Sequence, residues 1–192
     1  MKLNDYFKKY KLLIFSGNGG TGKTTLSAAV ALEAVEAGLR VGLITIDPSR
    51  RLGTVFDMDV AKDVFKRQVI GEKYLDVFLI NSPEIIKEFV FKNYSREFYD
   101  QLKTNKLFAQ ISSVLSENQS VSTIYKVAEM IRSGDYDLII VDTPPANHTV
   151  DFFRSPEQVI KIFQDNMVAK AVMDAKGVKL WSSKKIFIKI LS

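Results

Sequence analysis

The sequence predicts an α/β layered fold: a mostly parallel sheet flanked by helices, with a helical insert. Three observations predict it. The strongest apolar runs are continuous rather than alternating, the pattern of strands covered on both faces. They alternate with helical segments at the spacing of strand–helix–strand units, whose crossovers are right-handed. A glycine-rich stretch, "FSGNGGTGKTT" (Phe15–Thr25), joins the first apolar run to the first strong helix.

The elements follow in order. "KLLIFS" (Lys11–Ser16) is a short apolar run ending at glycine and reads as a buried strand. Thr24 to Ala37 reads as a helix, rich in Ala and Leu, free of interior Gly or Pro, and stopped at Gly38. "RVGLITID" (Arg40–Asp47) is a second strand, which Pro48 prevents from extending. "LDVFLINS" (Leu75–Ser82) is a third, and "YDLIIVD" (Tyr136–Asp142) a fourth, ended by Pro144 and Pro145. Between Pro83 and Gly134 the pattern is helical, with polar breaks near Asn93 and Asn118. This insert, about 83–134, is too long for one crossover helix and is expected to form two or three. Helical character resumes after Asp151, with Ser155-Pro156-Glu157 as a helix start.

The composition sets bounds. The chain has 192 residues, 46% of them hydrophobic, enough for one domain with a real core. A net charge of +5 suits an anionic small ligand and does not by itself indicate nucleic acid. There is no cysteine, so disulfides and thiolate chemistry within the chain are excluded, and a reducing, cytoplasmic compartment is expected. No apolar run reaches membrane-spanning length, and the N-terminal one is too short for a signal peptide.

Gly17-x-x-x-x-Gly22-Lys23-Thr24 fits the phosphate-loop pattern in full, between a strand and a helix, as that pattern requires. Glycines let the backbone fold around an anion with its N–H groups pointing inward. The helix N-terminus adds unpaired N–H groups and a favourable dipole. Lys23 supplies a mobile charge for the β- and γ-phosphates, and the Thr24 hydroxyl can ligate Mg²⁺. Asp142 closes "LIIVD", a hydrophobic strand ending in an acid, where it would hold Mg²⁺ through water; the alternative is an acid that merely caps the strand. Asp47 closes the second strand. Ligands in open α/β sheets sit at the carboxyl ends of strands, so Asp47 can face the same site and orient or deprotonate a water, or else serve only as a turn residue before Pro48.

"GNGGTGKTT", "LITIDPSRRL" and "DYDLIIVDTPPANHTVDFF" together resemble the ArsA-type anion-transporting ATPases. These belong to the wider group of ATPases with a deviant phosphate loop, which includes the tail-anchored-protein targeting ATPase and the Min and Par ATPases. The resemblance runs from about Lys11 to Phe153. It implies a P-loop NTPase fold, ATP and Mg²⁺ as cofactors, and a homodimer or a pairing with a related ATPase subunit. By it, Gly17, Asn18, Gly19, Gly20, Thr21, Gly22, Lys23, Thr24 and Thr25 would bind the nucleotide. Asp47 would activate water with Lys23 as its catalytic partner, and Thr24 and Asp142 would serve Mg²⁺. "DTPPANHT" (Asp142–Thr149) resembles the family's switch II, placing Pro145, Asn147 and His148 in it.

Two departures stand out. The family usually carries a second lysine where this chain has Asn18, so turnover is expected either to be slow or to rely on another cation such as Arg50 or Arg51, the alternative being that these arginines form a solvated loop face. The family domain also continues with further strands, so this chain is expected to lack the C-terminal part. The insert's apolar stripes (Ile85, Ile86, Phe89, Val90, Phe98, Leu102, Leu107, Phe108, Ile111, Val114 and Leu115) either pack as a core or line a groove for a hydrophobic client. The basic, apolar tail Leu180–Leu191 is either a core helix or a membrane-surface helix, as in Min-type relatives. A coupled anion pump, a client-handling switch, a Min- or Par-like surface organiser and a non-hydrolysing nucleotide binder all remain open at this point. No nucleic-acid partner is expected, and the chain is expected in the cytoplasm, with a peripheral membrane position as the variant reading.

Overall fold

The computed structural model describes residues 3–46, 55–56, 58, 65–70, 72–93, 96–104, 109, 113 and 119–143. Asp47, Arg50, Arg51, Pro145, Asn147, His148 and everything after Asp151, including the basic tail, lie outside the described residues.

The chain divides into two compact units, Met1–Asn81 with Thr123–Phe153, and Ser82–Ser122 with Arg154–Ser192. The first unit is the α/β layer. In chain order it holds α1 (Leu3–Lys9), β1 (Leu12–Phe15), α2 (Lys23–Glu36), β2 (Val41–Thr45), β3 (Phe65–Ile70), β4 (Lys73–Leu79) and β5 (Leu138–Asp142). The helices α3 (Ser82–Asn93) and α4 (Arg96–Lys103) belong to the second unit, and α5 (Gln119–Ser133) starts in the second and runs into the first.

The five strands form one sheet in the order β1-β5-β2-β4-β3. β1, β5, β2 and β4 run parallel, and β3 runs antiparallel to β4. The sheet is therefore mostly parallel, as the continuous apolar runs require: β2 and β5 are buried at every position. α2 covers one face. Its Ala28, Ala31, Ala34 and Val35 are buried at helical spacing, and their small side chains let the helix come close to Val41, Leu43, Leu75, Val77, Leu138 and Ile140.

The other face has a different character. Ile139, Gly42, Asp76 and Arg67 stand in register across β5, β2, β4 and β3. A Cβ on Gly42 would collide with Met130 Cε of α5 and fall 3.2 Å from the Tyr136 ring, so a larger residue here requires the Met130 side chain to shift. The Tyr136 hydroxyl donates to Asp76 Oδ2 at 2.9 Å. Arg67 donates to both Asp76 oxygens at 2.7 Å, so a carboxylate that is 1% exposed is met by three donors. Burial, then the bond to Asp76, raises the Tyr136 hydroxyl pKa, and the carboxylate likewise raises that of Arg67.

β3 corrects the strand reading, which had four strands where the sheet has five. "FKRQVI" sets Lys66, Arg67 and Gln68 together in the middle of the strand, and exposure alternates along it as at an edge. The missed signal was the Gly-Glu pair in the sequence between Ile70 and Lys73, residues that pair across the two antiparallel strands. α1 was likewise missed, and β4 begins at Lys73 and stops at Leu79, short of the expected Ser82. In the second unit, α3 ends at Asn93 and α5 starts at Gln119, at the two polar breaks. Phe91 and Tyr99 meet edge to face across α3 and α4, with centroids 5.1 Å apart. Ile85, Phe98 and Leu102 are buried. Of the remaining stripe positions, the side chains of Ile86, Phe89 and Val90, and Leu107, Phe108, Ile111, Val114 and Leu115 altogether, lie outside the described residues.

Candidate nucleotide site at the carboxyl edge of the sheet

The register brings three strand ends to one level. Asp142, the last residue of β5, is paired with Phe15 of β1 on one side and Thr45 of β2 on the other. The glycine-rich loop leaves β1 at Phe15, so it rises directly beside Asp142. Thr143, 2% exposed, ties the two together: its N–H and its hydroxyl both donate to Phe15 O, at 3.1 and 2.8 Å. Ile46 N–H donates to Asp142 O at 3.3 Å, bringing the end of the second strand to the same carboxylate residue.

The loop turns through Gly20 and Gly22, at φ 77° and 82°. Residues with a Cβ avoid this left-handed region, so the pattern's glycines are a backbone requirement here. Gly22 is the N-cap of α2, and it brings no side-chain cap. The first turn contains no acidic residue either. The partial positive charge of this helix end is thus not offset by a carboxylate of the helix's own first turn, which suits an anion.

Three side chains complete the site. Lys23 Nζ donates to Asn18 O at 2.8 Å, and Thr21 Oγ1 donates to the same oxygen at 2.8 Å. Thr24 Oγ1 donates to Asp142 Oδ2 at 2.7 Å. Asp142 is fully buried and Thr24 partly so. Gly17, Asn18, Gly19, Gly20, Thr21, Gly22, Lys23, Thr24, Thr25 and Asp142 are therefore all gathered at one edge of the sheet. Asp47, Pro145, Asn147 and His148 fall outside the described residues. Sequence reasoning counted Thr21 and Asn18 among the nucleotide-binding residues and weighed Asn18 by its side chain; the feature it missed is that the Asn18 main-chain oxygen accepts from both Thr21 and Lys23.

The donor set can be tested against Mg²⁺. A hydroxyl and a carboxylate in contact give hard oxygen ligands, the kind Mg²⁺ takes one or two of before filling its shell with phosphate and water. The residues fit the ion. Among the described residues there is no group of three or more His, Cys, Asp or Glu that could hold a metal ion.

The sequence profile of the anion-transporting ATPases, the ArsA ATPase family, matches residues 10–186. The chain belongs to this family. Among relatives of this ArsA-family chain, an ATPase ASNA1 homolog of Paramecium tetraurelia is 31% identical over 152 residues, 76% of this chain and 44% of that protein. The arsenical pump-driving ATPase of Acidiphilium multivorum is 28% identical over 167 residues, 81% of this chain and 27% of that protein. The chain thus spans between a quarter and a half of the length of these relatives. No helix among the described residues is long and apolar enough to cross a membrane.

Proposed function

We propose that this ArsA-family chain binds ATP with Mg²⁺ and hydrolyses it as a conformational switch. The observation that carries the reading is the contact between Thr24 and Asp142, 118 residues apart, beneath a glycine loop that ends in Lys23 and an uncapped helix. In this reading the loop N–H groups and Lys23 hold the phosphates, and Thr24 and Asp142 hold Mg²⁺. The ion would screen the charge of the phosphates while the protein orients them. Asp47 orients the attacking water and accepts its proton. Two things support that role: Asp47 directly follows Ile46, whose N–H meets Asp142 O, and the chain around it matches the family's motif.

The hydrolytic cycle is proposed to drive either the movement of an anion or the handling of a hydrophobic client. The names of the two relatives span both a pump and an ASNA1 homolog. A dimer, or a pair with a related ATPase subunit, would be the working unit.

Asn18 favours a second reading, nucleotide binding without turnover. Its side chain is neutral, and its main-chain oxygen is occupied by Lys23 and Thr21, so position 18 supplies no cation for charge that develops on the phosphate. One experiment decides between the two: Mg²⁺-dependent ATP turnover by this chain beside Asp47→Asn. The switch reading expects turnover that Asp47→Asn abolishes while still binding ATP. Binding without turnover by the unaltered chain overturns it in favour of the second reading.

A further inference from the structure

The peptide unit that joins Asp142 to Thr143 is held from both sides. Its carbonyl accepts from Ile46 N–H at 3.3 Å, and its N–H donates to Phe15 O at 3.1 Å. The second bond closes the β1–β5 ladder, whose opposite end is the bond from Ile139 N–H to Lys11 O at 2.8 Å. Along such an edge every second residue donates to the same neighbour, so the next donor after Thr143 would be residue 145. Residue 145 is a proline, as is residue 144, and neither has an N–H to give. The ladder therefore ends where the glycine loop begins, and the ends of ladders are the parts that open most readily.

Thr143 puts a second donor at this end. Its hydroxyl donates to the same Phe15 O at 2.8 Å, so both lone pairs of that carbonyl are engaged by one residue. Thr143 is 2% exposed, and valine would suit the burial and the extended backbone as well. What threonine brings to Phe15 is the hydroxyl. The two residues it ties together frame the site: the loop departs from Phe15, and Asp142 carries the carboxylate that Thr24 reaches at 2.7 Å.

We propose that Thr143 is a positioning residue of the nucleotide site: its hydroxyl doubles the last rung between β5 and β1 and so fixes the start of the glycine loop at the level where Thr24 meets Asp142. The consequence for a ligand rests on the nucleotide-binding reading; the doubled rung does not. A small displacement where the loop starts is carried along it to Thr24, and misplacing a binding group weakens what it holds.

The test starts without nucleotide. Amide hydrogen exchange, followed by NMR, gives the protection of the residue 143 N–H. In Thr143→Val it is expected to fall about fivefold, the scale of one neutral hydrogen bond. In Thr143→Ser, which keeps the hydroxyl, it should stay within about twofold of the parent. ADP affinity is then titrated with Mg²⁺ present. It is expected to fall about fivefold in Thr143→Val and to recover in Thr143→Ser. In a Thr24→Val background the hydroxyl has no Thr24–Asp142 contact left to align, so there Thr143→Val should change ADP affinity less than about twofold. Unchanged protection in Thr143→Val overturns the doubled rung. An equal loss of ADP affinity in the two backgrounds overturns the positioning role and leaves a hydroxyl that only satisfies itself in the core. If the parent chain binds no ADP, the nucleotide reading falls and the positioning role with it, while the protection of residue 143 still decides the rung.

Discussion

Thr24 Oγ1 and Asp142 Oδ2 stand 2.7 Å apart, although the sequence separates them by 118 residues. The hydroxyl belongs to the first turn of α2 and the carboxylate to the last residue of β5. β1 is the neighbour of β5, and the loop that follows β1 delivers Thr24 to that strand end. Thr24→Val, close in shape but without the donor, is expected to raise the Mg²⁺ concentration needed for ATP binding by about tenfold, the loss of one charge-assisted contact. Titration of nucleotide binding against Mg²⁺ checks it. The same affinity without Mg²⁺ in parent and variant is part of the expectation.

Gly42→Ala is expected to destabilise the fold by about 1–3 kcal/mol, because the new methyl group meets Met130 Cε and the Tyr136 ring. Urea unfolding measures it. The double variant Gly42→Ala/Met130→Ala should be less destabilised than the sum of its singles, since removing the methionine side chain clears the nearest clash.

Asp76 gives an ordered pair of outcomes. Tyr136→Phe removes one of three donors and is expected to cost about 1 kcal/mol. Arg67→Leu removes both other donors and leaves a buried carboxylate with the tyrosine alone, so it should cost more, on the order of 2 kcal/mol. That figure is set below the range for fully buried pairs because Arg67 itself is half exposed. Equal losses in the two variants would contradict this order.

Arg40 and Asp137 set a pH dependence. The Arg40 guanidinium and its backbone N–H hold the Asp137 carboxyl down at about 2, below the ordinary value of 3.8. A depressed carboxyl stabilises the fold in full above its unfolded value and loses that contribution as pH falls through the folded one. The stability gap between the parent and Asp137→Asn is therefore expected to be constant above about pH 5 and to close between about pH 4 and pH 2. Both side chains are two-fifths or more exposed, so the gap should also shrink in high salt.

Much of this was legible in the sequence, for physical reasons. β2 and β5 could be read because each is covered on both faces, so hydrophobicity alone marks them. The loop could be read because its glycines serve a backbone requirement that admits few substitutes, seen at Gly20 and Gly22. β3 could not be read by the same signal, because Lys66, Arg67 and Gln68 interrupt its apolar residues and leave no continuous run. Asp76 was hidden inside the apolar run of β4, since its partners come from β3 and from the entry to β5. The hydrogen bond from Lys23 to Asn18 O was beyond reach for a simpler reason: its acceptor is a main-chain oxygen, which every residue has.

The strand order has a consequence for synthesis. Among the described strands, β1 is hydrogen-bonded only to β5, and β5 also separates it from β2. A ribosome that has released β1 through β4 has made every loop glycine and Lys23, but nothing for β1 to pair with. At bacterial or eukaryotic elongation rates, the 118 residues between Thr24 and Asp142 take on the order of ten seconds. For that interval the glycine loop emerges on an undocked strand. The nascent chain therefore gains a formed site only at a late step, when β5 slides between two strands already made.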